Sequence, residues 1–190
     1  KHYLEWKEES IDEYESLLDR HLAQVCNKTR FLEIIHDYIV FDRGIQKTCR
    51  HNQYFGIQAA KKHIARREGG IIWHTQGSGK TALAFYNVHF LTDYYQKQHI
   101  IPKFYFIVDR LDLLTQARDE FTARGLKVHT VSSRDEFVRD LKKTSAVNND
   151  RGQREITVVN IHKFKDDSTA STTTDYNINV QRIYFLDEVH

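Results

Sequence analysis

The segment Trp73–Thr81, WHTQGSGKT, combines the residue types that bind the phosphates of a nucleotide. Glycines let the backbone curl so that successive amide N–H groups point at phosphate oxygens, and a helix that begins there adds its positive dipole end. Lys80 is predicted to reach the β- and γ-phosphates, and Thr81 to place its hydroxyl on Mg²⁺. The other loop residues predicted to bind the nucleotide are Thr75, Gln76, Gly77, Ser78 and Gly79. The alternative is a glycine turn that binds nothing.

A second set of candidate groups closes the sequence, where Asp187 and Glu188 follow the apolar run 183–186. An acidic pair at the carboxyl end of a buried strand lies on the edge where open α/β sheets bind ligands. Asp187 is predicted to hold Mg²⁺, mostly through water, and Glu188 to orient or deprotonate the water that attacks the γ-phosphate. Taken alone the pair would be a solvated strand end. Together with Lys80 it predicts a catalytic site.

Helices and short apolar strands must alternate to position these groups. The predicted helices cover 11–25, 30–40, 52–67, 80–95, 113–124 and 136–143. The predicted strands cover 71–73, 104–108, 128–131, 156–160 and 182–186. Short strands rich in Ile, Val, Phe and Tyr between longer helices are typical of a parallel sheet covered on both faces. We therefore expect an α/β fold with a central, mostly parallel sheet, preceded by a short helical segment. Ser133 and Glu136 have the spacing of a capping box, and Gly69-Gly70 is predicted to end the third helix.

Composition sets looser bounds. The 190 residues are 40% hydrophobic and 28% charged, which is ordinary for a globular domain. A net charge of +2 permits a nucleic-acid partner without indicating one. No apolar run approaches the length of about 18 residues that a membrane span needs, so we expect a cytoplasmic protein. The sequence contains no methionine, and we expect it to be part of a longer protein. The polar stretches 144–154 and 165–179 are expected to be long loops, either linkers or DNA-facing insertions.

Four boxes in the same order resemble the restriction (R) subunit of type I restriction-modification enzymes, whose motor belongs to helicase superfamily 2. They are Phe41-Asp42 with 50–55 (RHNQYF), 73–81 (WHTQGSGKT), 108–113 (VDRLDL) with Gln116, and 159–164 (VNIHKF). The Asp-Glu-x-His sequence at 187–190 is similar to motif II of that superfamily. A strict phosphate loop has glycine at position 74; His74 therefore argues against small GTPases and most nucleotide kinases, and is typical of the looser superfamily 2 loop.

The resemblance implies the first RecA-like P-loop NTPase lobe over 48–190, preceded by a helical linker over 1–47. It implies ATP and Mg²⁺ as cofactors, and double-stranded DNA and the modification and specificity subunits as partners. The activity implied is the ATP hydrolase and DNA translocase of a type I site-specific deoxyribonuclease. Two alternatives stay open: another superfamily 2 helicase or remodeller, and a catalytically silent scaffold fragment.

The resemblance also assigns individual residues. Gln53 matches the glutamine that reads the adenine edge, with Tyr54 or Arg50 assisting by stacking or polar contact; the alternative is a glutamine that faces water. Arg110 and Lys163 match positions that contact DNA phosphates, and each could equally be a solvated charge.

The family's nuclease domain and second motor lobe are absent from these 190 residues, and Glu5-Trp6-Lys7 is expected to be a solvated turn rather than a nuclease motif. In that family the second lobe also supplies an arginine that contacts the γ-phosphate, and without it we expect the chain by itself to bind ATP weakly and to hydrolyse it slowly.

Overall fold

The computed structural model describes Trp6, Glu8 and residues 15–143, 154–161 and 179–187. The predicted site residues Glu188 and Lys163 lie outside these residues, as do Glu5, Lys7 and most of the two polar stretches. The chain divides into two compact units, residues 1–86 and 87–190, and each is described by itself.

The described residues form six helices and six strands. The helices are α1 (Leu17–Val25), α2 (Lys28–Asp37), α3 (His51–Ala65), α4 (Lys80–Gln96), α5 (Leu111–Ala123) and α6 (Arg134–Lys142). The strands are β1 (Ile39–Asp42), β2 (Ile45–Thr48), β3 (Ile101–Val108), β4 (Lys127–Val131), β5 (Glu155–Asn160) and β6 (Val180–Asp187). No helix in the described part of the chain is both long and apolar enough to cross a membrane.

The first unit opens with two short helices and a hairpin. Ser16 caps α1, since its Oγ accepts a hydrogen bond from the Asp19 amide at 3.2 Å. The helix predicted over 30–40 ends at Asp37 instead, because the chain turns into the antiparallel pair β1–β2. Arg43 and Gly44 form the two-residue turn with φ of 52° and 79°, the positive values that tight hairpins require. The sequence prediction missed this hairpin because arginine is an uncommon first residue for such a turn.

A polar network fixes α3 against α2. The Glu33 carboxylate accepts hydrogen bonds from Tyr54 Oη at 2.9 Å, Gln58 Nε2 at 2.8 Å and Lys61 Nζ at 2.6 Å. Burial alone would raise the pKa of Glu33, but these three donors outweigh it and hold the pKa below its usual value. Glu33 is therefore ionised at neutral pH and secures three positions along α3.

The aromatic cluster beside this network includes Trp6, whose ring centroid lies 5.4 Å from that of Tyr54 and 5.5 Å from that of Phe55. The Arg30 guanidinium stands 5.6 Å from the Trp6 ring centre and pairs with Glu8 at 2.6 Å. Trp6 is therefore not solvated as expected, because its indole covers the surface of α3; Glu5 and Lys7, the rest of the expected turn, lie outside the described residues.

The second unit is a four-stranded sheet in the order β4-β5-β3-β6, with every neighbouring pair parallel. Phe104–Val108 in β3 is buried throughout, as a central strand covered on both faces must be. On one face Phe106 meets Phe121 of α5 at 5.2 Å between ring centroids, and on the other Tyr105 meets Phe137 of α6 at 5.5 Å. The α/β prediction is confirmed.

One predicted strand is wrong. Residues 71–73 are irregular, and both Ile71 and Trp73 are 91% exposed. A strand needs a partner to complete its backbone hydrogen bonds. In residues 1–86 the described strands are β1 and β2, which pair with each other. The apolar composition of 71–73 is therefore not sufficient to form a strand there. The prediction that Gly69-Gly70 ends the third helix is also wrong. Helix α3 ends at Ala65, and Arg67, with a positive φ of 58°, turns the chain away from it.

The helix predicted over 11–25 begins at Leu17, and residues 11–14 lie outside the described part of the chain; the other predicted elements lie within three residues of their expected bounds. Ser133 caps α6, since its Oγ accepts from the Glu136 amide at 3.3 Å. The Glu136 carboxylate in turn accepts from the Ser132 amide at 2.9 Å, one residue further back than in the predicted capping box.

Candidate functional site

The predicted phosphate loop lies immediately before α4, which begins at Lys80. Gly77 and Gly79 have φ of 74° and 85°, values that side-chain-bearing residues rarely adopt. Between them the Ser78 amide donates to the Thr75 carbonyl at 3.3 Å and closes a turn. The glycine spacing therefore produces the curled backbone that the sequence predicts.

The loop and the start of α4 fit an anion such as a phosphate. The helix's own hydrogen bonds begin with the Leu83 amide, which donates to the Gly79 carbonyl at 3.0 Å. Amides of the turn before Leu83 have no acceptor within the helix, and the helix dipole adds positive potential there. The buried Ser78 Oγ also has no hydrogen-bond partner among the described residues. Thr75, Gln76 and Gly77 are exposed, and 78–81 are half-buried, so the loop is open to a ligand.

His74, the residue that replaces the expected glycine, stands close to two other basic groups. Burial lowers the pKa of His74, and the nearby Lys80 and His51 lower it further. Its Nδ1 atom is buried without a hydrogen-bond partner among the described residues, as is Nδ1 of His51. At neutral pH His74 is therefore uncharged, and the positive charge of the loop belongs to Lys80.

Gln53, the predicted adenine contact, lies under the phosphate loop and is only 5% exposed. Its Oε1 accepts from the Arg50 amide at 2.9 Å, and its Nε2 donates to the Gly79 carbonyl at 3.1 Å. The oxygen and the nitrogen of the Gln53 side-chain amide thus each already have one hydrogen-bond partner in the chain. One Nε2 hydrogen and one Oε1 lone pair are left for a base. Its contact with adenine stays a prediction.

Two neighbours of Gln53 also contact the loop. Asn52 Nδ2 donates to the Ser78 carbonyl at 3.3 Å, and the Arg50 guanidinium donates to the Gly77 carbonyl at 3.2 Å. The sequence prediction missed Asn52 and gave Arg50 only a contact with the base. Their contacts with the loop could have been suspected from the sequence, because both residues lie at the start of the helix that carries Gln53.

Tyr54 belongs to the buried core of the first unit. Its ring is 5% exposed and packs between Tyr38 and Phe55, with centroid distances of 5.3 and 5.4 Å. Its hydroxyl is bound to Glu33. This geometry leaves little ring surface for stacking on adenine, so the suggested stacking contact has no support in the structure.

The remaining described site residues lie at the carboxyl edge of the sheet in the second unit. Asp187 ends β6 in register with Val108 of β3, which in turn is in register with Asn160 of β5. This is the edge where parallel sheets bind ligands. Arg110 occupies the N-cap position of α5 and is exposed; its side chain makes no capping hydrogen bond, and its guanidinium donates to the Asp112 carboxylate at 3.1 and 2.7 Å.

The structure therefore brings Gln53 together with the loop residues 77–79, and places Asp187 and Arg110 in the other unit. Whether Thr81 and Asp187 hold one metal ion stays a prediction.

A parallel α/β sheet and a glycine-curled phosphate loop at a helix start define a P-loop nucleotide-binding protein with a RecA-like fold. The SWI2/SNF2 ATPase family matches residues 52–190, and the chain belongs to that family.

Relatives with curated names are endonuclease subunits of type I restriction enzymes. Two are assigned in Methanocaldococcus jannaschii: one is 32% identical over 62% of this chain and 12% of its own length, and another is 26% identical over 97% of this chain and 19% of its own. The subunit from Staphylococcus aureus strain COL is 30% identical over 60% of this chain and 12% of its own length. The chain thus spans less than a fifth of each of these relatives. No solved structure matches it significantly.

Proposed function

We propose that this chain is the ATP-binding lobe of an ATP-dependent DNA translocase, within the endonuclease subunit of a type I restriction-modification system. The observation that carries the proposal is the loop 75–79 with its two positive-φ glycines at the start of α4, in a chain of the SWI2/SNF2 ATPase family. The restriction assignment rests on the similarity to named endonuclease subunits.

In this proposal the loop binds the triphosphate of ATP. Amides at the start of α4 donate to phosphate oxygens, and Lys80 neutralises charge on the β- and γ-phosphates. Bound Mg²⁺ would neutralise further phosphate charge, with Thr81 and Asp187 as its proposed protein ligands. Glu188 orients the attacking water. Hydroxyl and carboxylate oxygens are the ligands that this ion prefers, so the residue types fit it.

The proposed partners are double-stranded DNA and the modification and specificity subunits of the restriction complex, in the cytoplasm. Arg110 and Lys163 are the proposed contacts to DNA phosphates. Such contacts are independent of sequence and suit an enzyme that moves along DNA.

Two assays test the proposal, both on the assembled enzyme containing the full-length subunit. The first measures ATP hydrolysis stimulated by DNA. The second measures translocation, as the displacement of a third strand bound to the DNA duplex ahead of the enzyme. Lys80→Ala is expected to lower the rate of ATP hydrolysis at least about a hundredfold, because it removes the preorganised positive charge that faces the transferred phosphate. Lys97→Ala is the matched control, since it removes an exposed lysine just beyond the end of the same helix.

Each other outcome has a definite meaning. Equal hydrolysis by Lys80→Ala and the wild type would refute the ATPase site. Hydrolysis without strand displacement would favour another superfamily 2 enzyme, and no hydrolysis by the wild type would favour a scaffold.

A further inference from the structure

Three consecutive carbonyl groups of the phosphate loop are held by the start of α3. Gly77 O accepts from Arg50, Ser78 O from Asn52 at 3.3 Å, and Gly79 O from Gln53 at 3.1 Å. We call these three donors the loop tether. All of them belong to the first unit, so the tether is a property of that unit.

Holding the carbonyls also fixes where the amides point. In a trans peptide the C=O of one residue and the N–H of the next point in opposite directions. When Asn52 and Gln53 hold the carbonyls of Ser78 and Gly79, the amides of the two following residues must face away from α3. Those amides belong to Gly79 and Lys80, the centre of the proposed phosphate site. The Ser78 amide is already used, since it donates to Thr75 O.

We propose that Asn52, with Arg50 and Gln53, is a positioning residue that preorganises the phosphate loop for a triphosphate regardless of the base. This inference rests on the proposed function. A loop already held in its binding conformation loses less conformational entropy on binding, so the tether contributes to affinity without contacting the ligand. Because it acts on the backbone, it strengthens binding of every triphosphate equally.

The experiment measures dissociation constants of MgATP, MgGTP and magnesium tripolyphosphate for the full-length protein. Asn52→Ala is expected to weaken all three about three- to tenfold, the value of one hydrogen bond of this kind. Asn52→Gln, which keeps an amide donor, is expected to recover part of the loss.

Gln58→Ala is the matched control for a purely structural effect. It removes an amide donor from the same helix, but this amide serves Glu33 and not the loop. It is expected to lower the thermal unfolding midpoint while leaving all three dissociation constants within about twofold of the wild type, because the loop contacts remain.

Wild-type affinities in Asn52→Ala would overturn the tether, and so would a loss confined to MgATP, which would indicate recognition of the base. Lys80→Ala separates the two proposals. If it binds all three ligands as tightly as the wild type, or if the wild type binds none of them, the proposed function fails and the tether fails with it.

Discussion

Alanine substitutions at the two loop glycines should destabilise the protein to different extents, because only one glycine has a neighbour in the way. At Gly77, with φ of 74°, an added methyl group would meet nothing within 4 Å. At Gly79, with φ of 85°, the methyl would overlap Nε2 of Gln53. That nitrogen donates to the carbonyl of Gly79 itself. Gly79→Ala therefore adds a steric conflict to the backbone strain that both substitutions share.

The difference can be worked out from the contacts. A residue with a side chain at positive φ costs about 1–2 kcal/mol, and this applies to both positions. Gly79→Ala must also displace the Gln53 amide, with its bonds to Gly79 O and from the Arg50 amide. Each lost bond is worth about 0.5–1.5 kcal/mol. The expected loss of unfolding free energy is about 1–2 kcal/mol for Gly77→Ala and about 2–5 kcal/mol for Gly79→Ala.

Urea unfolding followed by tryptophan fluorescence measures these values. The 190 residues contain two tryptophans, and Trp6 packs on α3, so a Trp73→Phe background reports on the first unit. In that background a double-mutant cycle with Gln53→Ala isolates the conflict. With Gln53 truncated, Gly79→Ala should cost no more than Gly77→Ala, which corresponds to a coupling energy of about 1–3 kcal/mol. Equal losses for the two glycine variants, or an additive cycle, would refute the reasoning.

Three further predictions concern the groups around the loop and the sheet. Glu33→Ala should destabilise the protein by about 2–4 kcal/mol and Gln58→Ala by about 1 kcal/mol in urea unfolding, because the first leaves three donors without their acceptor and the second removes one donor. Stability should fall as pH drops below 6.5, since the pKa of His74 is lowered and only the unfolded chain gains that proton readily; above 6.5 the effect vanishes. Lys103→Met should cost about 3–5 kcal/mol, because buried Lys103 holds the Asp140 carbonyl at 2.7 Å and its carboxylate at 3.5 Å.

Each of these three predictions has a control variant or an outcome that would contradict it. Equal losses for Glu33→Ala and Gln58→Ala would contradict the network. His74→Asn should flatten the pH dependence relative to the wild type between the lowered pKa and 6.5, and parallel curves would exclude His74 as the cause. Combining Lys103→Met with Asp140→Leu should recover part of the stability, and a double variant worse than the sum of its parts would contradict the pairing.

The sheet was predictable because its signal is local and redundant. The buried cores of β3 and β5 are short apolar runs, residues 104–108 and residues 156–159 with Thr157 as the one polar residue, so length and composition identify them. The phosphate loop was predictable for a different reason: its glycines take the positive φ that the motif requires.

The remaining features depend on contacts between distant segments. The run 71–73 has strand composition but no strand partner in residues 1–86, and composition does not reveal a partner. The helix predicted to reach Val40 gives way to β1 because a hairpin competes for the same residues. Asn52 is linked to Ser78 across 26 positions, a pairing that no local pattern records.

The central claim, that residues 76–81 wrap a triphosphate, is tested most directly by an experimental structure of the full-length protein with Mg²⁺ and a non-hydrolysable ATP analogue. We predict phosphate oxygens within about 3 Å of the loop amides and of Lys80 Nζ, with Asp187 beside the same metal ion. A nucleotide bound elsewhere, or one bound with Lys80 beyond hydrogen-bond reach of its phosphates, would contradict the account.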